Sequence, residues 1–276
     1  AETLIRSLRS GAAVMTDQWE HNRLNFEGVW QGRSQWYARQ VDGELDLRQP
    51  STVVENTRYA ISFEDADTGL WDGTGLFLAP GGAAQYPLSR STYNGSGACW
   101  QFQAAGGQSS LEVPTELPRF GHEINFFCGR SRSMLVLLWK PDGSEWRLNA
   151  IGAVAFRCQL SEEQEPSRAQ HSSIEALLAP LQGCSGVIER FEPQPGVAGQ
   201  ASEPEPISWD PQPFLQAEVR GMFVDGLVCG VPQRLPSSGF RLEVGCLQPS
   251  RFQQLSIVFD DQRRLQCWER RAFSIA

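Results

Sequence analysis

The chain has 276 residues, of which 41% are hydrophobic, 10% aromatic and 20% charged. That length holds one large domain or two modest ones and a core that needs no disulfide staples, and no apolar run reaches the roughly 18–20 residues of a membrane-spanning helix, so stable membrane insertion is not expected. Twenty-four basic residues against 32 acidic ones leave a net charge of −8, which argues against a nucleic-acid partner, because neutralising phosphates takes a basic face.

In chain order, residues 1–14 resemble a transit segment through Arg6, Ser7, Arg9 and Ser10, although an upstream extension accounts for them equally, and Met15 is a candidate start. Asp17 with Glu20 three positions later predicts a capped short helix ending before Gly28. From Val29 to Cys158 the reading is strand throughout: Val29–Arg39, Thr52–Phe63, Leu70–Leu78, Tyr86–Tyr93, Ala98–Gln103, Gly121–Cys128, Arg132–Lys140 and Glu145–Arg157. Asp42-Gly43, Asp72-Gly73, Asn94-Gly95, Gly106-Gly107 and Asp142-Gly143 punctuate these runs as turns, since Asn-Gly and Asp-Gly supply positive φ. Short connections without crossover helices mean an antiparallel meander, which removes its edges by closing. Met134–Trp139 is apolar on both faces, so its outer side is expected to lie under the opening helix or a second domain.

Residues 161–171 are polar and acidic and read as a linker. Ser172 or Ser173 caps a short helix through Leu177–Ala179, followed by a strand over Gly186–Phe191 and a proline-rich extended loop from Glu192 to Pro213. The strands Phe214–Val219, Met222–Val231, Phe240–Gln248, Phe252–Asp260 and Leu265–Phe273 complete the chain. The expected architecture is all-β: a larger unit over 16–160, the linker, and a smaller unit over 172–276, each an antiparallel β-barrel with short helices.

The chemistry-bearing residues are sparse. Seven cysteines show no C-x-x-C pair and read as buried thiols of a reducing compartment. Three scattered histidines, His21, His122 and His171, provide neither a metal shell nor a recognisable triad, and there is no G-x-S-x-G elbow. Asp65-x-Asp67-x-Gly69-x-x-Asp72 lacks the twelve-residue span and closing glutamate of a calcium loop and reads as a turn. No catalytic residue and no metal ligand is assigned. What stands out is arginine with aromatic rings. Lys140 is the only lysine, and nine tryptophans are present. Alternation puts Glu123, Asn125 and Phe127 on one face of their strand and His122, Ile124 and Phe126 on the other. With Arg130, Arg132, Trp71 and Trp100 nearby, an inward Glu123–Asn125 face makes a polar-footed binding pocket; an aromatic-filled core is the competing reading. In the second unit Arg264, Trp268 and Arg271 form a candidate partner surface, with a solvated rim as its alternative.

Gly28-Val29-Trp30 at the start of the first strand resembles the G-x-W opening of lipocalin-like (calycin) barrels. That resemblance implies an arginine packed over Trp30, for which Arg147 and Arg157 are the candidates. Thr68–Gly75, Leu88–Asn94, Phe120–Phe127, Arg130–Leu135 and Ile151–Cys158 resemble a cyanobacterial and chloroplast family of unknown function built as tandem lipocalin-like barrels. Its plant member is a biogenesis factor for the F1 part of the chloroplast ATP synthase. The resemblance implies a non-catalytic, chaperone-like assembly factor of a photosynthetic complex, in cyanobacterial cytoplasm or chloroplast stroma, with F1 subunits as partners and no obligatory cofactor. Gln248–Leu255 and Trp268–Arg271 resemble the closing strands of S-type phycobiliprotein lyases. That alternative implies a carrier of a bilin or another hydrophobic ligand.

Overall fold

The computed structural model describes residues 17–41, 43–74, 84–91, 99–159, 161–162, 165–193 and 201–275. The transit-like stretch lies outside them, as do Asp42, the Asn94-Gly95 turn and one end of each of three expected strands.

Two antiparallel sheets carry the fold. The first has nine strands, β1 (Gly28–Ala38), β2 (Thr52–Phe63), β3 (Thr68–Asp72), β4 (Gln85–Ser89), β5 (Cys99–Phe102), β6 (Ala105–Ser109), β7 (Phe120–Cys128), β8 (Ser131–Asp142) and β9 (Glu145–Cys158). They lie in the order β4-β3-β2-β1-β9-β8-β7-β6-β5. The second has seven: β10 (Ser185–Phe191), β11 (Glu205–Ser208), β12 (Val219–Met222), β13 (Leu227–Val231), β14 (Phe240–Leu247), β15 (Arg251–Phe259) and β16 (Leu265–Ser274). Their order is β11-β10-β16-β15-β14-β13-β12.

Among the described residues no ladder joins β4 to β5, the two edges of the first sheet. The sheet nonetheless curls: Tyr59, Trp71 and Leu88 of β2 to β4 share one core with Cys99 of β5 and Phe127 of β7. Helix α1 (Gln18–Phe26) bridges the remaining gap. It carries no apolar stripe; Gln18, Asn22 and Asn25 are buried beside Trp19 and Phe26. The reason lies in what they cover. Gln18 donates to the Gln101 carbonyl (2.7 Å) and accepts from the Gln101 amide, and Asn25 donates to the Phe102 carbonyl (2.9 Å) and accepts from the Ala104 amide (3.2 Å). Side-chain amides thus satisfy the backbone of an edge strand that would otherwise template unwanted pairing. On the other side, Trp19 donates to the Ala66 carbonyl (2.7 Å), and Arg90, just past β4, pairs with Asp17 and with Glu20 (2.9 Å).

The outer face of the first sheet is covered around β8, whereas on β2 it meets solvent at Arg58 and Ser62. Leu135, Leu137 and Trp139 of β8 share one core with Phe191, Leu242, Val244, Leu255, Ile257 and Trp268 of the second sheet. This is why Met134–Trp139 is apolar on both faces: the second sheet, not the opening helix, covers the outer one. The far side of the second sheet packs Val228, Phe252 and Phe273 under α2 (Ile174–Leu178) and α3 (Gln212–Leu215).

Several expected elements fall differently. Gly106-Gly107 is not a turn but the middle of β6; a Cβ on Gly107 would sit 1.8 Å from the Glu123 carbonyl, so the glycine permits close strand approach. The turn is one step earlier, at Ala104 with φ 60°. The expected strand Phe214–Val219 begins as α3, because Pro211 and Pro213 suit the first turn of a helix. The expected strand Met222–Val231 is broken by a 3₁₀ turn over Val224–Gly226, and β11 lies inside the stretch read as an extended loop.

Candidate functional site

The inner face of the first sheet gathers five of the residues singled out from sequence. Alternation along β7 and β8 turns Glu123, Asn125 and Phe127, with Arg132, Met134 and Val136, toward the inside. Arg132 is the centre. Its side chain is 1% exposed, and its guanidinium lies 4.4 Å from the Tyr59 ring, 4.7 Å from Phe26, 5.1 Å from Phe156 and 5.9 Å from Trp30. A guanidinium is weakly hydrated and flat, so aromatic faces replace water around it at modest cost. Nε donates to Asn125 Oδ1 (2.7 Å) and one Nη to Glu123 Oε1 (3.2 Å), while Asn125 Nδ2 also donates to that oxygen (3.0 Å). Glu123 retains 24% side-chain exposure, so its carboxylate reaches water while the arginine does not. Trp71 stacks on Tyr86 at 4.6 Å and meets Tyr59 edge-on at 5.3 Å. Burial raises both phenols above the ordinary tyrosine range, so they stay protonated.

Arg130 sits beside this cluster, 4.7 Å above Trp30, and donates to the Glu27 carbonyl. It corrects the expectation that Arg147 or Arg157 covers this tryptophan. Arg157 has the other parity on β9 and points out of the first sheet toward Asp225, which it meets at 2.8 Å, and Arg147 donates to the Gly43 carbonyl (2.6 Å).

The remaining residues of the sequence reading lie elsewhere. Trp100 has the opposite parity to Gln101 and leaves the pocket: it stacks on Trp268 at 6.2 Å and meets Phe191 edge-on at 5.0 Å in the shared core. Trp268 is fully buried and is not on the surface imagined for it. Arg271 donates to Ser256 (2.6 Å) and Glu269 (2.7 Å) within a network that joins Arg190, Arg241 and Glu243. Arg264 is exposed, on a turn where its backbone bridges to Glu112. These three do not form one surface.

Two features were missed. Tyr59 and Phe156 complete the Arg132 cage, and the alternation of Tyr59 with Ile61 was the available signal. Asp225 stands before Gly226, and an Asp-Gly pair by itself signals only a turn. It takes φ 65° and is 3% exposed, and its carboxylate accepts from Arg157 on β9 and from Ser133 on β8. Arg168 of the linker bonds the Asp225 carbonyl (3.0 Å), Ser133 (3.2 Å) and Glu165 (2.8 Å). Burial opposes ionisation of Asp225, but these donors outweigh it and hold its carboxyl below the usual range. The linker is therefore clamped between the sheets.

Other titratable groups are tuned against reactivity. Burial alone pushes His122 down to about 3. Burial pushes the thiols of Cys229 and Cys246 up to about 12, and all seven cysteines are free. Among the described residues no group of His, Cys, Asp and Glu is placed to hold a metal ion, and no helix is long and apolar enough to cross a membrane. Asp65 caps its own turn by accepting from the amides of Asp67 (2.8 Å) and Thr68 (2.7 Å).

A groove of about 630 Å³ runs along the junction of the sheets, separate from the inner face. Tyr37, Arg48, His171, Ser172, Arg220 and Phe223 contribute to its walls, with the Tyr37 and Phe223 rings in edge contact at 5.2 Å.

The fold and these sites define an all-β protein of two packed antiparallel sheets, the first curled around a buried arginine. It shares its fold with a protein of unknown function of the DUF3598 family from Nostoc punctiforme PCC 73102, with a TM-score of 0.64 and 16% identity over 95% of this chain and 100% of that one. A putative outer membrane protein from Bacteroides fragilis NCTC 9343 matches with a TM-score of only 0.19 at 8% identity, over 94% of this chain and 100% of that one, too low to bear on the fold. No family profile matches the chain, and no curated protein does.

Proposed function

We propose that the chain is a non-catalytic binding and assembly factor for a photosynthetic complex, with F1 subunits of ATP synthase as its partners. In this reading its two sheets are diverged lipocalin-like barrels, and it works in cyanobacterial cytoplasm or chloroplast stroma. The observation that carries partner binding is the junction groove. Its walls come from both sheets and from the linker, the shared core and the Asp225 clamp hold those walls rigidly, and it offers Arg48, His171 and Arg220 beside two aromatic rings. A rigid concave patch of rings and arginines is what protein interfaces use as anchors. The lipocalin-like ancestry is supported by Arg130 stacked over Trp30 of the G-x-W opening, and the cyanobacterial source of the fold neighbour fits the compartment.

The test is an affinity pull-down from a cyanobacterial extract with the unaltered chain and with Arg220→Glu, which reverses charge in the groove. Recovery of F1 subunits by the first and at least tenfold less by the second is expected. Absence of F1 subunits from the unaltered pull-down, with normal ATP synthase in a deletion strain, overturns the F1 assignment.

A second reading, carriage of a small apolar ligand such as a bilin, is favoured by one observation: Arg132 buried among rings on the inner face of a curled sheet.

A further inference from the structure

The junction groove combines an apolar lining with charge of one sign. Leu47, Ile174, Met222 and Val224 line it and are only half-buried. Arg48 and Arg220 stand exposed on its walls, with the imidazole of His171 and the polar side chains of Gln170 and Ser172. No carboxylate lines it, although the chain has 32 acidic residues and a net charge of −8. Asp225, the neighbour of Val224 and Gly226, is turned away into Arg157. The two arginines differ. Arg48 already shares its charge with Asp46 at 2.8 Å. Arg220 gives one Nη to the Leu215 carbonyl at 3.1 Å and pairs with no carboxylate among the described residues. On the same sheet Arg190, Arg241 and Arg271 are each held by Glu269, so the missing partner sets Arg220 apart from them.

A guanidinium beside half-covered apolar surface attracts a carboxylate by charge and meets it with paired donors, and the apolar surface gains from being covered at the same time. We infer that the junction groove docks an acidic segment of a partner protein, its carboxylates on Arg220 and Arg48 and its aliphatic side chains over Leu47, Ile174, Met222 and Val224. This rests on the reading of the groove as a docking site, not on which protein brings the segment. Charge complementarity decides the sign. A basic segment would meet Arg220 as a like charge, with no carboxylate in the lining to receive it, and a neutral segment would leave that charge unanswered. The volume of about 630 Å³ holds a few side chains rather than a folded domain.

The test titrates the full chain into fluorescein-labelled peptides of about eight residues, read by fluorescence anisotropy. One alternates glutamate with leucine, and two others carry glutamine or lysine in place of glutamate. The glutamate peptide is expected to bind with a Kd below about 100 μM, the glutamine peptide about tenfold more weakly or worse, and the lysine peptide not at all. Arg220→Glu, checked for an intact thermal transition, should weaken the glutamate peptide about tenfold or more, and Arg220→Gln by less. Lys140→Glu makes the same change of charge at an exposed residue outside the groove and should leave binding within about twofold. No binding of the glutamate peptide, equal binding of the glutamine or lysine peptide, or an equal loss in Lys140→Glu overturns the inference. The pull-down separates that failure from failure of the reading beneath it. Loss of F1 subunits in Arg220→Glu without any preference for the glutamate peptide keeps the groove as a docking site and strikes the acidic segment. A pull-down without F1 subunits, with the peptides behaving as expected, strikes the F1 assignment and leaves the acidic-segment site standing.

Discussion

Strand β7 shows two environments one residue apart. His122 faces outward into the core shared by the two sheets, held between Phe120, Trp139 and Phe259, and is fully dry. Glu123 faces inward, paired with an arginine and partly wet. The core on the outer face is built mainly of aliphatic side chains and rings, with the Asp225 clamp beside it, so its residues contribute stability. The inner face keeps a charged pair that reaches water and half-buried aliphatic side chains, and those features suit the carrier reading better than they suit stability. Substitutions on the two faces should therefore separate into those that cost folding and those that cost binding.

The largest expected effect lies in the outer core. Trp268→Ala removes a fully buried ring stacked on Trp100 and should cost about 4 kcal/mol in denaturant unfolding. A loss under about 1 kcal/mol would break the picture of a single core joining the sheets. Next comes His122. Its folded-state value is pushed down to about 3 by burial, whereas the unfolded imidazole titrates near ~6.5. Between those limits the unfolded state binds the extra proton, so stability falls as pH drops, by up to about 1.4 kcal/mol per pH unit. From pH 6.5 to 5 this amounts to about 2 kcal/mol, and His122→Gln should flatten the slope. An unchanged slope in that variant would place the titrating group elsewhere. Smallest is the inner face: Leu138→Ala, at a half-buried site, should cost about 1 kcal/mol or less. A loss as large as that of Trp268→Ala would mean that the inner face is as tightly filled as the outer one.

Much of this was legible from the sequence, for identifiable reasons. The antiparallel meander followed from alternation and from turn dipeptides, which are local signals. The two-faced apolar run Met134–Trp139 correctly announced a covering layer, but which layer covers it depends on long-range packing. Glu123, Asn125 and Arg132 converge as their parity implied, whereas Trp100 was misplaced because a single strand's parity must be anchored to a known inward residue, and Gln101, not Trp100, faces α1. Arg130 was preferred by the fold over Arg147 and Arg157 because the β7–β8 turn, not the last strand, lies above Trp30. Asp225 could not be found from sequence at all. Asp-Gly signals a turn, and nothing local says that the carboxylate will be buried against arginines 57 and 68 residues away.

The most direct test of the inner face as a binding surface, the carrier reading, is the side-chain NMR of arginine in the full chain, compared before and after addition of the uncharged apolar dye Nile red. The account predicts that the Arg132 guanidinium resonances shift while those of Arg157, clamped to Asp225 on the outer face, stay in place. Resonances of Arg132 that do not move while Nile red is bound would contradict it.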